Sequence, residues 1–217
     1  GADIAAVPHA LVFVKNSSVV EVDLDSSQSN PSSIGLLSEV RSGSTVETEL
    51  LFAIVDVYGQ VIRTNSDSSA FLRVDPDRTR DEFAKIETAS RQAINGIFNF
   101  QNATTIGTPG QSIQVQVTSE TLQLTTTAEL QINFRLCEAG EILTRTKICR
   151  ICGDNLDPSS PREELITKQY SLDTNDNACS SCPDNAYCWG GNQIGPQAGY
   201  WRVSTDSSKI IRCPNSD

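Results

Sequence analysis

The residues best suited to chemistry are seven cysteines, Cys137, Cys149, Cys152, Cys179, Cys182, Cys188 and Cys213, and all of them fall in roughly the C-terminal third of the chain. Thiols can cross-link as disulfides, hold a metal as thiolates, or cycle between redox states. Cys149, Cys152, Cys179 and Cys182 form two CxxC pairs separated by 26 residues, a spacing that four-thiolate zinc sites use. Zinc would leave Cys137, Cys188 and Cys213 unexplained, and the surroundings are acidic and serine-rich. Neither pair follows a strand and opens a helix, as a catalytic redox pair would. The segment is poor in aliphatic runs and rich in Asn, Asp, Ser, Gly and Pro, a composition in which bridges replace a core. Disulfides in an extracellular setting are therefore the preferred reading. Seven is odd, and Cys213 stands four residues from the end. The expectation is that its partner lies beyond Asp217, so that the module is cut short.

Other candidate groups are sparse. His9 is the one histidine, and no nucleophile signature accompanies it, so a surface role is expected. Asp23, Asp25, Glu47 and Asp56 could supply paired carboxylates for glycoside hydrolysis, but no spacing selects a pair. No enzymatic activity is expected. Asp173-Thr174-Asn175-Asp176-Asn177 resembles the calcium-binding linker phrase of cadherins, with alternating oxygen ligands for a hard cation. Its ligand set is incomplete, so a solvated turn is preferred and calcium is the lesser reading; no other cofactor is expected. Asn16-Ser17-Ser18 and Asn102-Ala103-Thr104 have the form of glycosylation acceptors, at Asn16 and Asn102. Trp189, Tyr200 and Trp201 are either an exposed ligand platform or a miniature core beneath the bridges, and the core is preferred.

The elements that carry these groups read as strands. Residues 10–14 and 19–24 flank a turn at 16–18, and Leu50-Leu51-Phe52-Ala53-Ile54-Val55 is an apolar run that should lie deep. Asp56-Val57-Tyr58-Gly59-Gln60 supplies a turn, and residues 61–64 return antiparallel. Further strands are read at 71–75, 96–100, 112–117 and 130–134. Residues 81–93 could form a short amphipathic helix, though a strand keeps the topology simpler. Turn signals recurring about every 8 to 12 residues predict a mainly β fold: an antiparallel β-sandwich over residues 1–135, then a small disulfide-rich module over 136–217.

Two resemblances sharpen this. Ala53-Ile54-Val55-Asp56-Val57-Tyr58-Gly59-Gln60-Val61, with Asn95-Gly96-Ile97-Phe98-Asn99-Phe100 and Gly107-Thr108-Pro109-Gly110, resembles strand and turn phrases of Ig-like repeats in surface adhesins. The second segment carries Cys137-Glu138-Ala139-Gly140-Glu141, Cys149-Arg150-Ile151-Cys152, Cys179-Ser180-Ser181-Cys182-Pro183, Ala186-Tyr187-Cys188-Trp189-Gly190-Gly191 and Gly199-Tyr200-Trp201-Arg202. It resembles the cysteine-rich module of very large protist surface proteins of ciliate type, distantly similar to ephrin-receptor and growth-factor-receptor repeats. Residues 153–169 are longer than the family's link. In that family an Ig-like sandwich follows a parallel β-helix, whose exit Asp3-Ile4-Ala5-Ala6-Val7-Pro8 resembles, and membrane spans come later. Six cysteines allow fifteen pairings. The motif order and the short loop from Cys182 to Cys188 favour Cys137 with Cys149, Cys152 with Cys179, and Cys182 with Cys188.

Bulk properties suit such a segment. The 217 residues are 38% hydrophobic, contain no Met and no long apolar span, and carry a net charge of −10 with 17 scattered basic residues. That charge argues against nucleic acid or anionic lipid as partners. The expected role is an extracellular, cell-surface structural or adhesion segment of a membrane-anchored parent glycoprotein, assembling with other surface proteins. The alternative is a receptor ectodomain that captures a peptide or glycan.

Overall fold

The computed structural model describes residues 7–14, 34–47, 49–87, 89–122, 124, 128–153, 169–174 and 176–214. The chain divides into two compact units, Gly1–Arg135 and Leu136–Asp217. Among the described residues the protein is built of strands without helices, so no helix is long and apolar enough to cross a membrane.

The first unit contains β1 (Ala10–Val14), β2 (Ile34–Val40), β3 (Ser44–Thr45), β4 (Leu51–Val55), β5 (Ser69–Val74), β6 (Lys85–Glu87), β7 (Ser90–Gln92), β8 (Ile97–Asn99), β9 (Thr104–Ile106), β10 (Ser112–Thr118) and β11 (Ala128–Phe134). They form a three-stranded sheet in the order β1-β4-β8, a five-stranded sheet β2-β11-β10-β5-β7, and a small sheet β3-β9-β6. Strict alternation explains β10 and β11. Ile113, Val115 and Val117 on one strand and Leu130, Ile132 and Phe134 on the other point inward, with Gln114, Gln116, Gln131 and Asn133 between them. Those apolar residues share one core with Leu11, Phe52, Ile54, Phe98 and Phe100 from the three-stranded side. Each large side chain buried there contributes about 1.5–3 kcal/mol. The run Leu51–Val55 is buried on both faces: Phe52 and Ile54 face that core, while Leu51, Ala53 and Val55 join Ala10, Val12 and Val14 in a second apolar cluster.

Two expectations need correction. The first unit is not wholly antiparallel, because β2 pairs parallel to β11, with a register shift near Glu39, whose φ is 57°. The return strand at 61–64 shrinks to a single bridge, Val55 to Val61. The bonds from Arg63 N–H to Val61 O and from Asn65 N–H to Ile62 O then turn the chain away. Residues 81–93 hold β6 and β7, the strand reading preferred over a helix, and the Asp81 carboxylate accepts the Phe83 N–H and folds the start of the segment into a turn. The turn at 16–18 and the strand at 19–24 lie outside the described residues, as do residues 3–6.

The described residues of the second unit form four two-stranded antiparallel ladders. β12 (Glu141–Leu143) pairs β13 (Cys149–Ile151), β14 (Gln169–Tyr170) pairs β15 (Ser180–Ser181), β16 (Ala186–Cys188) pairs β17 (Ile194–Pro196), and β18 (Tyr200–Arg202) pairs β19 (Ile210–Arg212). Isolated two-stranded ladders are marginal in water, so this unit depends on its cross-links.

Candidate functional site

Three disulfides tie the β12–β13, β14–β15 and β16–β17 ladders, and none of the three reaches β18–β19. Cys137 bridges Cys149 on β13, with Cα atoms 5.4 Å apart. Cys152, just beyond β13, bridges Cys179 before β15, at 5.7 Å. Cys182 bridges Cys188 on β16, at 5.9 Å. Cys213, half-buried beyond β19, is in none of the three. Backbone bonds knit the same region: Cys152 N–H donates to Gly140 O, and Gly191 N–H to Cys152 O. This oxidation state bears on metal binding directly, because the four sulfurs of the CxxC pairs enter three different bridges and so are not thiolates. Cys137, Cys149 and Glu141 lie close enough to suggest a ligand cluster, yet both sulfurs belong to one disulfide. The Glu141 carboxylate instead accepts the Glu138 N–H at 2.9 Å. Three disulfides point to an oxidising, extracellular or secretory environment.

The aromatic residues are placed otherwise than expected. The buried cluster of this unit is Tyr170, Ala186, Cys188 and Ile194, with Leu172, Cys182 and Ile210 packed on it; Trp189, Tyr200 and Trp201 are not in it. Alternation along β16 turns Ala186 and Cys188 inward and Tyr187 outward, 38% exposed. Tyr187 sits opposite Gly195 of β17, and the half-buried Trp189 ring lies against that glycine. The two ring centroids are 6.2 Å apart with planes tilted by 38°.

On β18 the sense is inverted relative to an ordinary amphipathic strand. Trp201 and Val203 face outward, each 45% exposed, while Arg202 turns in. Its guanidinium donates to Ser207 O at 2.6 Å, to Ile194 O at 2.8 Å and to Thr205 O. Three carbonyls therefore converge on one cation, and that demand decides which face the tryptophan takes. Tyr200 is half-buried opposite Arg212. Tyr187 and Trp201 each present an exposed ring face that can stack against an apolar face of a sugar or peptide, and Asn192 and Gln193 are exposed as well. Sequence reasoning missed Tyr187 and Val203 as exposed apolar groups; the strand alternation of Ala186, Tyr187 and Cys188 was the available signal for Tyr187.

The carboxylates act on the backbone. Asp56 accepts Tyr58 N–H and Gln60 N–H, each at 2.9 Å. Asp75 accepts Asp77 N–H at 3.0 Å and the Gln116 amide at 2.8 Å. Asp81 binds the backbone and hydroxyl of Thr108 as well as Phe83. Glu47 is exposed, and Asp23 and Asp25 lie outside the described residues. In the calcium-like phrase the Asp176 carboxylate accepts the Ser171 hydroxyl at 2.9 Å, and Asn175 lies outside the described residues. His9 is half-buried and donates its N–H to Val55 O at 2.8 Å. Beside Glu129 the Arg78 guanidinium is held above its usual range, first by a 2.6 Å hydrogen bond and then by charge. Asn16 lies outside the described residues, and Asn102 is exposed in a turn with φ 66°.

No family model matches this chain, and no curated protein matches it either. The statement the molecule supports on its own is an all-β unit followed by a cysteine-rich, disulfide-bonded one.

Proposed function

We propose that this is an extracellular structural or adhesion segment: an Ig-like sandwich followed by a bridged module of the ephrin-receptor and growth-factor-receptor kind, serving as spacer and assembly surface. The Ig-like reading is supported by strand order. β1, β4 and β8 make one sheet, and β11, β10 and β5 the other, while the early strand β2 joins the second sheet parallel to the last strand. The observation that carries the functional reading is the cross-linking of three of the four small ladders, β12–β13, β14–β15 and β16–β17, by three disulfides. Such covalent ties resist force and proteolysis where unfolded chains are not repaired. The capping work of Asp56, Asp75 and Asp81 fits a load-bearing frame, since each ties a turn to its strand.

The second reading, capture of a peptide or glycan, is favoured by the exposure of Tyr187 and Trp201. One experiment separates the two. Beads coated with the secreted protein are tested for clustering and for binding to cell surfaces, beside a titration of tryptophan emission with a panel of oligosaccharides and proline-rich peptides. Adhesion that survives Trp201→Ala, with no soluble ligand shifting the emission, supports the structural reading. Saturable binding of one soluble ligand that Trp201→Ala abolishes, in a variant that still folds, replaces it with the receptor.

A further inference from the structure

We propose that Asn102 carries an N-linked oligosaccharide, attached before the first unit closes. Asn102-Ala103-Thr104 has the acceptor form, and its surroundings decide whether that form has consequences. β9 pairs with β3 through Thr104 opposite Thr45, and the ladder runs on past both strands. Val46 N–H donates to Ala103 O, and Asn102 N–H donates to Val46 O, each at 2.9 Å. Alternation along this ladder turns Ala103 inward, where it is 0% exposed, and leaves Asn102 and Thr104 on the outer side with Thr45 and Glu47. The two residues that a glycosyl transferase must read therefore share the solvent face. Among the described residues nothing hydrogen-bonds the Asn102 carboxamide or the Thr104 hydroxyl, so neither group has a structural duty that a sugar would displace. The bridges point to an oxidising, extracellular or secretory environment, and the eukaryotic secretory route is where such transfer occurs.

The step needs a lipid-pyrophosphate-linked oligosaccharide as donor. The carboxamide nitrogen of Asn102 bonds to C1 of the reducing-end sugar. The C1–O bond to phosphate breaks, the lipid pyrophosphate departs with that electron pair, and the amide gives up one proton. In the folded unit this cannot proceed, because Ala103 is enclosed and the Ala103 N–H to Phe100 O turn fixes the acceptor in a left-handed bend. Transfer must precede closure of that turn. Once attached, the glycan stands beside Glu47 and over β3, an edge strand of its sheet, and shields that edge from pairing with another chain.

The full chain is expressed through a eukaryotic secretory pathway, and its peptides are mapped after enzymatic glycan release in oxygen-18 water. The expected result is an oxygen-18 aspartate at position 102 in the secreted protein, retained in Thr104→Ser and absent in Thr104→Ala and Asn102→Gln. Unmodified Asn102 in folded, secreted wild-type chain overturns the proposal without depending on any variant. Exposing folded, unglycosylated protein to the transferase and donor should leave Asn102 unmodified; efficient modification there would overturn the order of events. The inference needs the secretory compartment and not the adhesive role, so a glycosylated chain that adheres to nothing would retain the one and remove the other.

Discussion

Gly107 and Gly195 each lie where a methyl group would enter an aromatic ring, but the two rings differ in where they can go. A Cβ on Gly107 would stand 2.2 Å from Phe134 Cε2, and one on Gly195 would stand 2.5 Å from Trp189 Cη2. Phe134 is enclosed in the main core, whereas Trp189 is half-buried at a surface. Gly107→Ala should therefore cost about 3 kcal/mol as the core is overpacked, and Gly195→Ala about 1 kcal/mol as the indole swings outward. Denaturant unfolding followed by circular dichroism, with tryptophan emission for the second unit, checks the pair; equal costs would mean that Trp189 is locked in place. Gly107 also donates its N–H to the hydroxyl of the fully buried Ser42 at 3.1 Å. Ser42→Ala leaves that donor enclosed without this acceptor, and a loss of about 1–3 kcal/mol is expected. A neutral Ser42→Ala would show that the bond is not needed.

At the scale of elements, the β18–β19 hairpin sets an arginine against a tryptophan. Arg202 holds Ser207, Thr205 and Ile194 carbonyls together, whereas Trp201 touches this frame from outside. Arg202→Met should cost about 2 kcal/mol and speed amide exchange through residues 203–209, because three acceptors lose a charged donor. Trp201→Ala should cost less than about 1 kcal/mol. Hydrogen exchange read by mass spectrometry orders them, and a larger effect at Trp201 would make that ring the core after all. The same hairpin shows what sequence conveys and what it withholds. Alternation in Ser112–Thr118 and Ala128–Phe134 states which side chains turn inward, and so β10 and β11 are legible. It does not state which strand lies alongside. Ile34–Val40 went unread because its alternation is broken: Gly35 is buried, Leu36 is exposed and Glu39 bends the strand. Its parallel partner is more than ninety residues away in sequence. The exposure of Trp201 was likewise illegible, since it follows from carbonyls of β17 and of the β18–β19 hairpin that converge only in the fold. Cysteine composition, by contrast, is a local signal, and it marked the second unit's dependence on cross-links.

At the scale of the whole molecule, the two units should answer force differently, because every cysteine lies in the second. When the first unit gives way, the chain from Ala10 to Phe134 is free to extend, which releases about 430 Å of contour at the usual rise per extended residue. The second unit cannot do the same while oxidised. Its bridges span sequence separations of 12, 27 and 6 residues, and together they withhold about 150 Å of chain, less the short distance each bridge itself covers. Single-molecule pulling should thus give one long step that ignores reductant and a second, shorter extension that lengthens by about 140 Å when reductant is added. The thermodynamic counterpart follows the same loops. Loss of the Cys152–Cys179 bridge should cost about 3.5 kcal/mol and loss of Cys182–Cys188 about 2 kcal/mol, because the longer loop restricts the unfolded chain more. A second extension indifferent to reductant would mean that the bridges are not under load, and the spacer reading would then lose its main support. A second extension that lengthens as stated would assign the bridges the task of keeping small ladders at fixed length under tension, which their few apolar contacts could not do unaided.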